Sequence, residues 1–354
     1  MEPEKDREKG LLLAVYRLTL AVVFLMLVIV CLIYVIVNGV PDLSFKAPLR
    51  ETSSQTKPQV NPLTITDLWK APDTATIPHD EKGNLVRYGR ELIANTAFYF
   101  GPKGTLGHNS SGMNCQNCHL DAGTRPFAYN YSGVSTMYPK FMKRSGKVSS
   151  VARRINDCFE RSLNGVAIDT MSKEMNAIKA YVLWVGQNVK KGTEPKGYGY
   201  EKLAYLDRPA DAANGRKVFK TYCVSCHGAD GAGKMNDNGL VYETPPVWGN
   251  KSYNNGASFF WLTRFAGFVK ANMPNKQATY DNPVLTDEEA WDVAAFVDSQ
   301  TRGDKDVSHD WPDLKNKPDD YPRGPYADEF DQHQHKYGPF APIVDAKKKI
   351  TGTK

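Results

Sequence analysis

The chain has 354 residues and a formal charge of +6. That length leaves room for two domains and extra segments, while the charge says little about fold. Its 45 Lys and Arg are spread along the sequence, with one dense basic stretch between residues 140 and 161, and no nucleic-acid-binding pattern is present, so a nucleic-acid partner is excluded.

The first predicted element is apolar. Leu18 to Val37 runs for 20 residues without a charge, which matches the roughly 20 apolar residues needed to span a bilayer. It is longer than the core of a signal peptide, typically about 7–15 residues, and no Ala-x-Ala-like cleavage site follows. Asn38-Gly-Val-Pro41 ends it instead. Lys5, Arg7, Lys9 and Arg17 precede the run and Lys46 and Arg50 follow it. The excess places the N-terminus in the cytoplasm. Residues 1–40 are therefore expected to be a cytoplasmic N-terminus and an uncleaved transmembrane anchor. The competing reading is a long cleaved signal. Residues 41–83 are rich in Pro, Thr, Ser and Lys, without apolar periodicity, and read as a linker.

Two similar units follow, at 84–190 and 191–302. The first opens with a helical pattern from Asn84 to Ala94 and closes with another from Ser172 to Gly186. The second opens at Asp211 and closes with a helix from Thr286, where Thr286 and Glu289 form a capping box. Each unit carries one motif between its helices: Cys115-Gln-Asn-Cys118-His119 and Cys223-Val-Ser-Cys226-His227. Cys-x-x-Cys-His is the attachment signature of c-type haem, with two thioethers to the porphyrin and the histidine delivered to the iron. A zinc ribbon separates its two Cys-x-x-Cys pairs by roughly 15–20 residues, far less than the spacing here, and a redox dithiol requires a βαβ context that is missing. The expected cofactors are two covalently attached haem c groups. Such haem is attached on the outer side of the bacterial inner membrane, which puts the haem-bearing units in the periplasm.

Helix, haem motif, loop and aromatic-bearing helix in this order resemble the class I cytochrome c fold. The expected fold is all-α, with two such domains behind a single N-terminal transmembrane helix. Residues 303–354 are rich in Pro, Asp and Lys and read as an irregular tail.

The second axial ligand of each haem tunes its potential. In the second unit Met273-Pro274 precedes the closing helix, and Met273 is the expected thioether ligand. The bland alternative is a core methionine. The repeat then serves as a ruler. Superposing Phe296 on Tyr181 gives an offset of 115 residues, which carries Met273 onto Cys158. Cys158 belongs to neither motif. It is either a buried inert thiol or a thiolate ligand to the first haem. Met171 is the rival ligand, although it falls on the Thr286 helix cap in this register; Met137 and Met142 have no register support.

Lys140, Lys143, Arg144, Lys147, Arg153, Arg154 and Arg161 surround Cys158, opposed by Asp157 and Glu160. Arginine grips oxyanions through paired N–H groups. The alternatives are a solvated basic face and partners for haem propionates. A soft sulfur beside several arginines suits a small sulfur oxyanion.

Four stretches are more specific than a generic cytochrome c pattern: Arg153-Arg-Ile-Asn-Asp-Cys158-Phe-Glu-Arg-Ser162, Pro246-Val-Trp-Gly, Lys270-Ala-Asn-Met273-Pro and Pro325-Tyr-Ala-Asp-Glu-Phe. On these the sequence, from about residue 85 to 342, resembles the dihaem thiosulfate dehydrogenase (tetrathionate synthase) family. The resemblance implies a first haem held by His119 and Cys158 at the active site, and a second held by His227 and Met273 as the electron exit. It places substrate contacts on Arg144, Arg154 and Ser162. Thiosulfate and tetrathionate are then the expected substrate and product, in either direction, and a soluble cytochrome c or a membrane oxidase the acceptor. Two departures stand out. Family members are mostly secreted by a cleaved signal, and some carry a lysine beside the second-haem methionine, where this chain has Asn272 and, further back, Lys270. Plain His/Met ligation is expected. The competing function is a membrane-anchored dihaem electron-transfer subunit of a respiratory complex, which leaves Cys158 and the arginines unexplained.

Overall fold

The computed structural model describes residues 15–30, 33 and 68–352. Residues 15–30 and 33 are helical, with exposed side chains. The rest of the run from Leu18 to Val37, and the expected linker as far as residue 67, lie outside the described residues. Among the described residues no helix is long and apolar enough to cross a membrane, so the expected transmembrane helix is not part of the fold shown. Met1–Asn61 and Pro62–Lys354 are separate compact units, and both haem motifs belong to the second.

This second unit is mostly helical. Helix α1, Glu81–Ala94, starts where the Asp80 carboxylate accepts from the Gly83 N–H at 2.7 Å, which satisfies one of the free donors of the first turn. It buries Val86, Gly89, Leu92 and Ile93, a stripe at helical spacing. That stripe packs on α3, Lys173–Val185, which is capped by Ser172 and preceded by the short α2, Val151–Asp157. In the second half α4, Ala212–Tyr222, packs on α6, Asp287–Ser299, and α5, Leu262–Asn272, lies against α6. The capping box at α6 is present: Thr286 N donates to Glu289 at 2.8 Å, and Glu289 N donates to the Thr286 hydroxyl at 3.1 Å.

The two helix crossings are built alike. A Cβ on Gly89 would overlap the Ala177 carbonyl and stand 2.9 Å from Tyr181 Cβ; a Cβ on Gly215 would overlap the Asp292 carbonyl and stand 2.9 Å from Phe296 Cβ. Only glycine lets the backbones come this close. The pairs Ala177/Asp292 and Tyr181/Phe296 reproduce the 115-residue register of the sequence repeat. One continuous apolar core includes Leu92, Phe159 and Tyr181 from the first half and Phe219, Phe268 and Trp291 from the second.

The fold departs from the sequence expectation in two places. Two small antiparallel hairpins interrupt the helices: β1 Lys140–Met142 with β2 Lys147–Ser149, and β3 Lys234–Met235 with β4 Tyr242–Thr244. Strands of two or three residues are too short to show a period. The tail also corrects the expectation of an irregular segment, since it contains helices α7, Gln332–Tyr337, and α8, Ala341–Thr351. Each buries a single side chain completely or nearly so, His335 and Ile343, which leaves no apolar stripe to read. Local devices hold them: Asp331 caps α7, and His335 is fixed by the Asp319 carbonyl, the Asp328 carboxylate and a stacked Tyr326 ring 3.6 Å away.

Candidate functional site

The first half encloses a cleft, with about 880 Å³ of empty space when the part open to solvent is counted; concave, mainly apolar clefts of this kind hold cofactors and ligands. Cys115, Cys118 and His119 border it from one side, and Arg154, Cys158 and Ser162 from another. Tyr138 and Tyr198 complete its polar rim; neither stands in a motif that would have marked it in the sequence.

Arg154, Cys158 and Ser162 are positioned by α2 and the turn that continues it. The Ser150 hydroxyl caps α2 by accepting from Arg153 N at 3.2 Å. Buried Asn156 pins its far side through two bonds to the Ile168 backbone, at 2.9 and 3.0 Å. Arg154 and Cys158 are four residues apart and so share a face. Arg154 Nη1 donates to Cys158 Sγ at 3.2 Å. The neighbouring sulfur, outweighing burial, holds the Arg154 guanidinium well above its usual pKa. From Cys158 to Ser162 the helix widens into a π-turn, with Leu163 N donating to the Cys158 carbonyl at 2.8 Å. Such turns are rare and recur at functional sites. Here the turn leaves both Cys158 and Ser162 facing the cleft.

His119 is fixed from behind. Its Nδ1 lies 2.5 Å from the Tyr129 carbonyl. A carbonyl only accepts, so Nδ1 carries the hydrogen and the Nε2 lone pair is free. Burial pulls the imidazole pKa down to about 4, against the opposing effect of the Tyr129 carbonyl. His227 repeats the arrangement, with Nδ1 2.8 Å from the Pro245 carbonyl and a pKa lowered by burial. Reaching Tyr129 takes a strained loop, in which Asp121, Ala122, Phe127 and Tyr129 all have positive φ between 51° and 54°.

The other predicted residues separate clearly. Met171 is 80% exposed, and neither Met137 nor Met142 borders the cleft, so Cys158 is the one sulfur outside the haem motif that lines it among the described residues. Of the seven basic residues, Arg154 alone borders the cleft. Lys140, Lys143 and Lys147 are exposed on the hairpin. Arg153 turns outward to Asp157 and Glu160 at 2.6 and 2.7 Å. Arg161 is paired with Asp310. Arg144 is largely buried, away from the cleft lining, and faces the adjacent rings of Trp261 and Trp311 at 5.0 and 5.8 Å.

In the second half, Met273 directly follows α5 and packs on the same core as Cys223, Trp248 and Phe296. Lys270 is occupied elsewhere, donating to the Leu285 carbonyl at 2.7 Å and pairing with Asp287 at 2.8 Å. Asn272 is buried and donates to the Phe127 carbonyl of the first half at 3.2 Å.

These residues fit covalent haem. In the first half, two cysteines and a histidine with a free Nε2 meet one cleft lined by Ile93, Tyr131, Val134, Leu163, Ile178 and Val182, the apolar walls a flat porphyrin requires. In the second half the histidine is oriented in the same way, beside Met273 and an aromatic group of Phe219, Trp248 and Phe296.

Comparison with known proteins gives the same assignment. Residues 107–190 match the SoxA/TsdA cytochrome c domain, and residues 212–301 match cytochrome c. The chain therefore carries two covalently attached haem c groups. A thiosulfate dehydrogenase of Psychrobacter arcticus is 38% identical over 244 residues, covering 69% of this chain and 71% of that protein. One from Allochromatium vinosum is 35% identical over 64% of this chain and 81% of its own length. The solved thiosulfate dehydrogenase (TsdBA) of Marichromatium purpuratum, in its as-isolated form, superposes with a TM-score of 0.61 at 30% identity, over 68% of this chain and 50% of that one. With two oriented haem histidines, a sulfur facing the first of them and relatives alike over more than two thirds of their length, this chain belongs to the thiosulfate dehydrogenase family.

Proposed function

We propose that the protein couples two thiosulfate ions to tetrathionate, passing the two electrons released to an external acceptor. The observation that carries this reading is the cleft in which Cys158 Sγ faces His119 and the two haem cysteines while accepting a hydrogen bond from Arg154 at 3.2 Å. Cys115, Cys118 and His119 in one half and Cys223, Cys226 and His227 in the other would hold haem c, with the Cys158 and Met273 sulfurs placed to join them, and the bound haems would supply one-electron acceptors.

The chain's own residues bind and orient the anions. Arg154 presents a buried, permanently charged fork to sulfonate oxygens. Ser162, at the end of the π-turn, offers a hydroxyl to the same anion. The Cys158 sulfur is placed to take up the terminal sulfur of one thiosulfate. Joining the Cys158 thiolate to thiosulfate forms one S–S bond, yields a Cys–S–S–sulfonate and releases two electrons. The terminal sulfur of a second thiosulfate then attacks the outer sulfur of that bond. Tetrathionate leaves and the Cys158 thiolate returns, with no further electrons exchanged. Every step is reversible, so the site can also run as a tetrathionate reductase.

The apolar run from Leu18 to Val37 supports a single-pass anchor in the bacterial inner membrane, with the haem-bearing part on the periplasmic side and a soluble cytochrome c or a membrane oxidase as acceptor. The test is direct. Cys158→Ala should keep both haems attached, seen in the reduced spectrum, yet lose haem reduction by thiosulfate in an anaerobic stopped-flow experiment. Reduction at the wild-type rate would sink the mechanism. A wild-type protein unreactive toward both thiosulfate and tetrathionate would favour the electron-transfer subunit.

A further inference from the structure

The tail between residues 302 and 326 lies against the catalytic half, and its contacts converge on Arg144. Trp311 N donates to the Arg144 carbonyl at 2.6 Å. The Trp311 ring faces the Arg144 guanidinium from one direction and Trp261 faces it from another. Asp310 grips Arg161 in a two-pronged pair, both contacts at 2.8 Å, and stands 4.0 Å from Arg144 Nε. Arg161 and Arg144 both donate to the Gly256 carbonyl, at 3.2 and 3.4 Å. Tyr321 closes the group by packing on Trp261 and Trp311.

We propose that the tail residues Asp310 and Trp311 are positioning residues, which hold Arg144 as an anion-binding arm of the thiosulfate site. This rests on the function proposed above. Two buried guanidiniums this close repel one another, and Arg144 is pulled down to about 10 by burial and by Arg161, with Asp310 opposing. Asp310 offsets that repulsion while spending its two oxygens mainly on Arg161. The one hydrogen bond from the Arg144 side chain is a long one to Gly256; its other N–H groups have no close partner among the described residues and remain available to an oxyanion. The Trp261 and Trp311 rings, packed on each other with centroids 5.7 Å apart, both face the guanidinium and hold it in place without consuming its donors. The Trp311 main-chain bond fixes the backbone at Arg144 as well, so one segment sets both ends of the side chain. Arg144 lies outside the lining shared by Cys158 and Arg154, but it shares the Gly256 carbonyl with Arg161, the chain neighbour of Ser162 on that lining, and in this proposal it takes the part of the anion away from the reacting sulfur. An interaction of that kind binds ground state and transition state alike and shows in KM.

The test uses the full-length dihaem protein with Asp310→Asn, Asp310→Glu and Trp311→Phe. KM for thiosulfate should rise about tenfold or more in Asp310→Asn, the size expected for misplacing a charge-assisted bond, with kcat within about twofold of wild type. Asp310→Glu should recover most of the loss, and Trp311→Phe, which keeps the main-chain bond, should give a smaller rise. Thiosulfate binding to the oxidised protein, followed by tryptophan fluorescence, should weaken in the same order. Unchanged KM and affinity in Asp310→Asn would overturn the proposal, as would a fall in kcat alone or a loss of melting temperature that Asp310→Glu does not repair. If wild type itself fails to respond to thiosulfate, it is the function that fails. If wild type responds and Asp310→Asn matches it, only the positioning role fails.

Discussion

Arg154 and Cys158 owe their contact to a single helical turn, so the chemistry at the sulfur depends on the shape of the cation as well as its charge. Lysine keeps the charge but loses the planar fork. Arg154→Lys should slow thiosulfate-dependent haem reduction roughly 10- to 100-fold, in line with a charge-assisted bond of about 1.5–3 kcal/mol, and stopped-flow spectra will read it. A second residue makes a prediction about stability. Glu201 Oε2 is buried without a hydrogen-bond partner among the described residues, and burial pushes its pKa up to about 7, with Lys270 opposing. Between the ordinary glutamate range near 4.5 and that value, the folded protein keeps a proton that the unfolded chain has lost. Stability therefore falls as pH rises through this window, and the penalty is complete above it and absent below. Glu201→Gln should raise the melting temperature at pH 8 and leave it unchanged at pH 4.5.

At the scale of elements, the two glycine crossings carry the fold. Gly89→Ala and Gly215→Ala each force a methyl into a backbone carbonyl and should cost about 1–3 kcal/mol, the usual penalty of overpacking, seen as a lower melting temperature by calorimetry. These crossings also explain why the repeat is legible in the sequence. Tyr181 and Phe296 align because each lies where its closing helix meets a glycine, a position tolerating little variation in shape. The same register selects Cys158, which lines the cleft. The features hidden from the sequence have physical reasons too. The π-turn at Cys158–Ser162 has no residue signature. The hairpin at 140–149 is too short for a period. Helices α7 and α8 are held by a cap, a stacked histidine and one isoleucine, without an apolar face. Arg144 is marked by its charge, but its caging by Trp261, Asp310 and Trp311 joins residues more than a hundred positions apart, which no local pattern displays.

Taken whole, the two haem-bearing halves share more than a linker. Their apolar core is continuous, Phe127 stacks on Tyr280 at 4.1 Å, and Asn272 reaches across to the Phe127 carbonyl. The haem-bearing part should therefore unfold in one calorimetric transition; two resolved peaks would show that the halves are independent. Tyr129 gives the union a sharper edge. Its carbonyl orients His119, while its ring lies among Tyr200, Phe259 and Phe268 of the second half. A repeat that looks like two interchangeable beads is thus not modular. A chimera joined at residue 190, with each half from a different relative, would place one parent's tyrosine in the other parent's aromatic bed and turn the first histidine. Such hybrids should work only when the loop at 127–129 and the residues that receive it are inherited together.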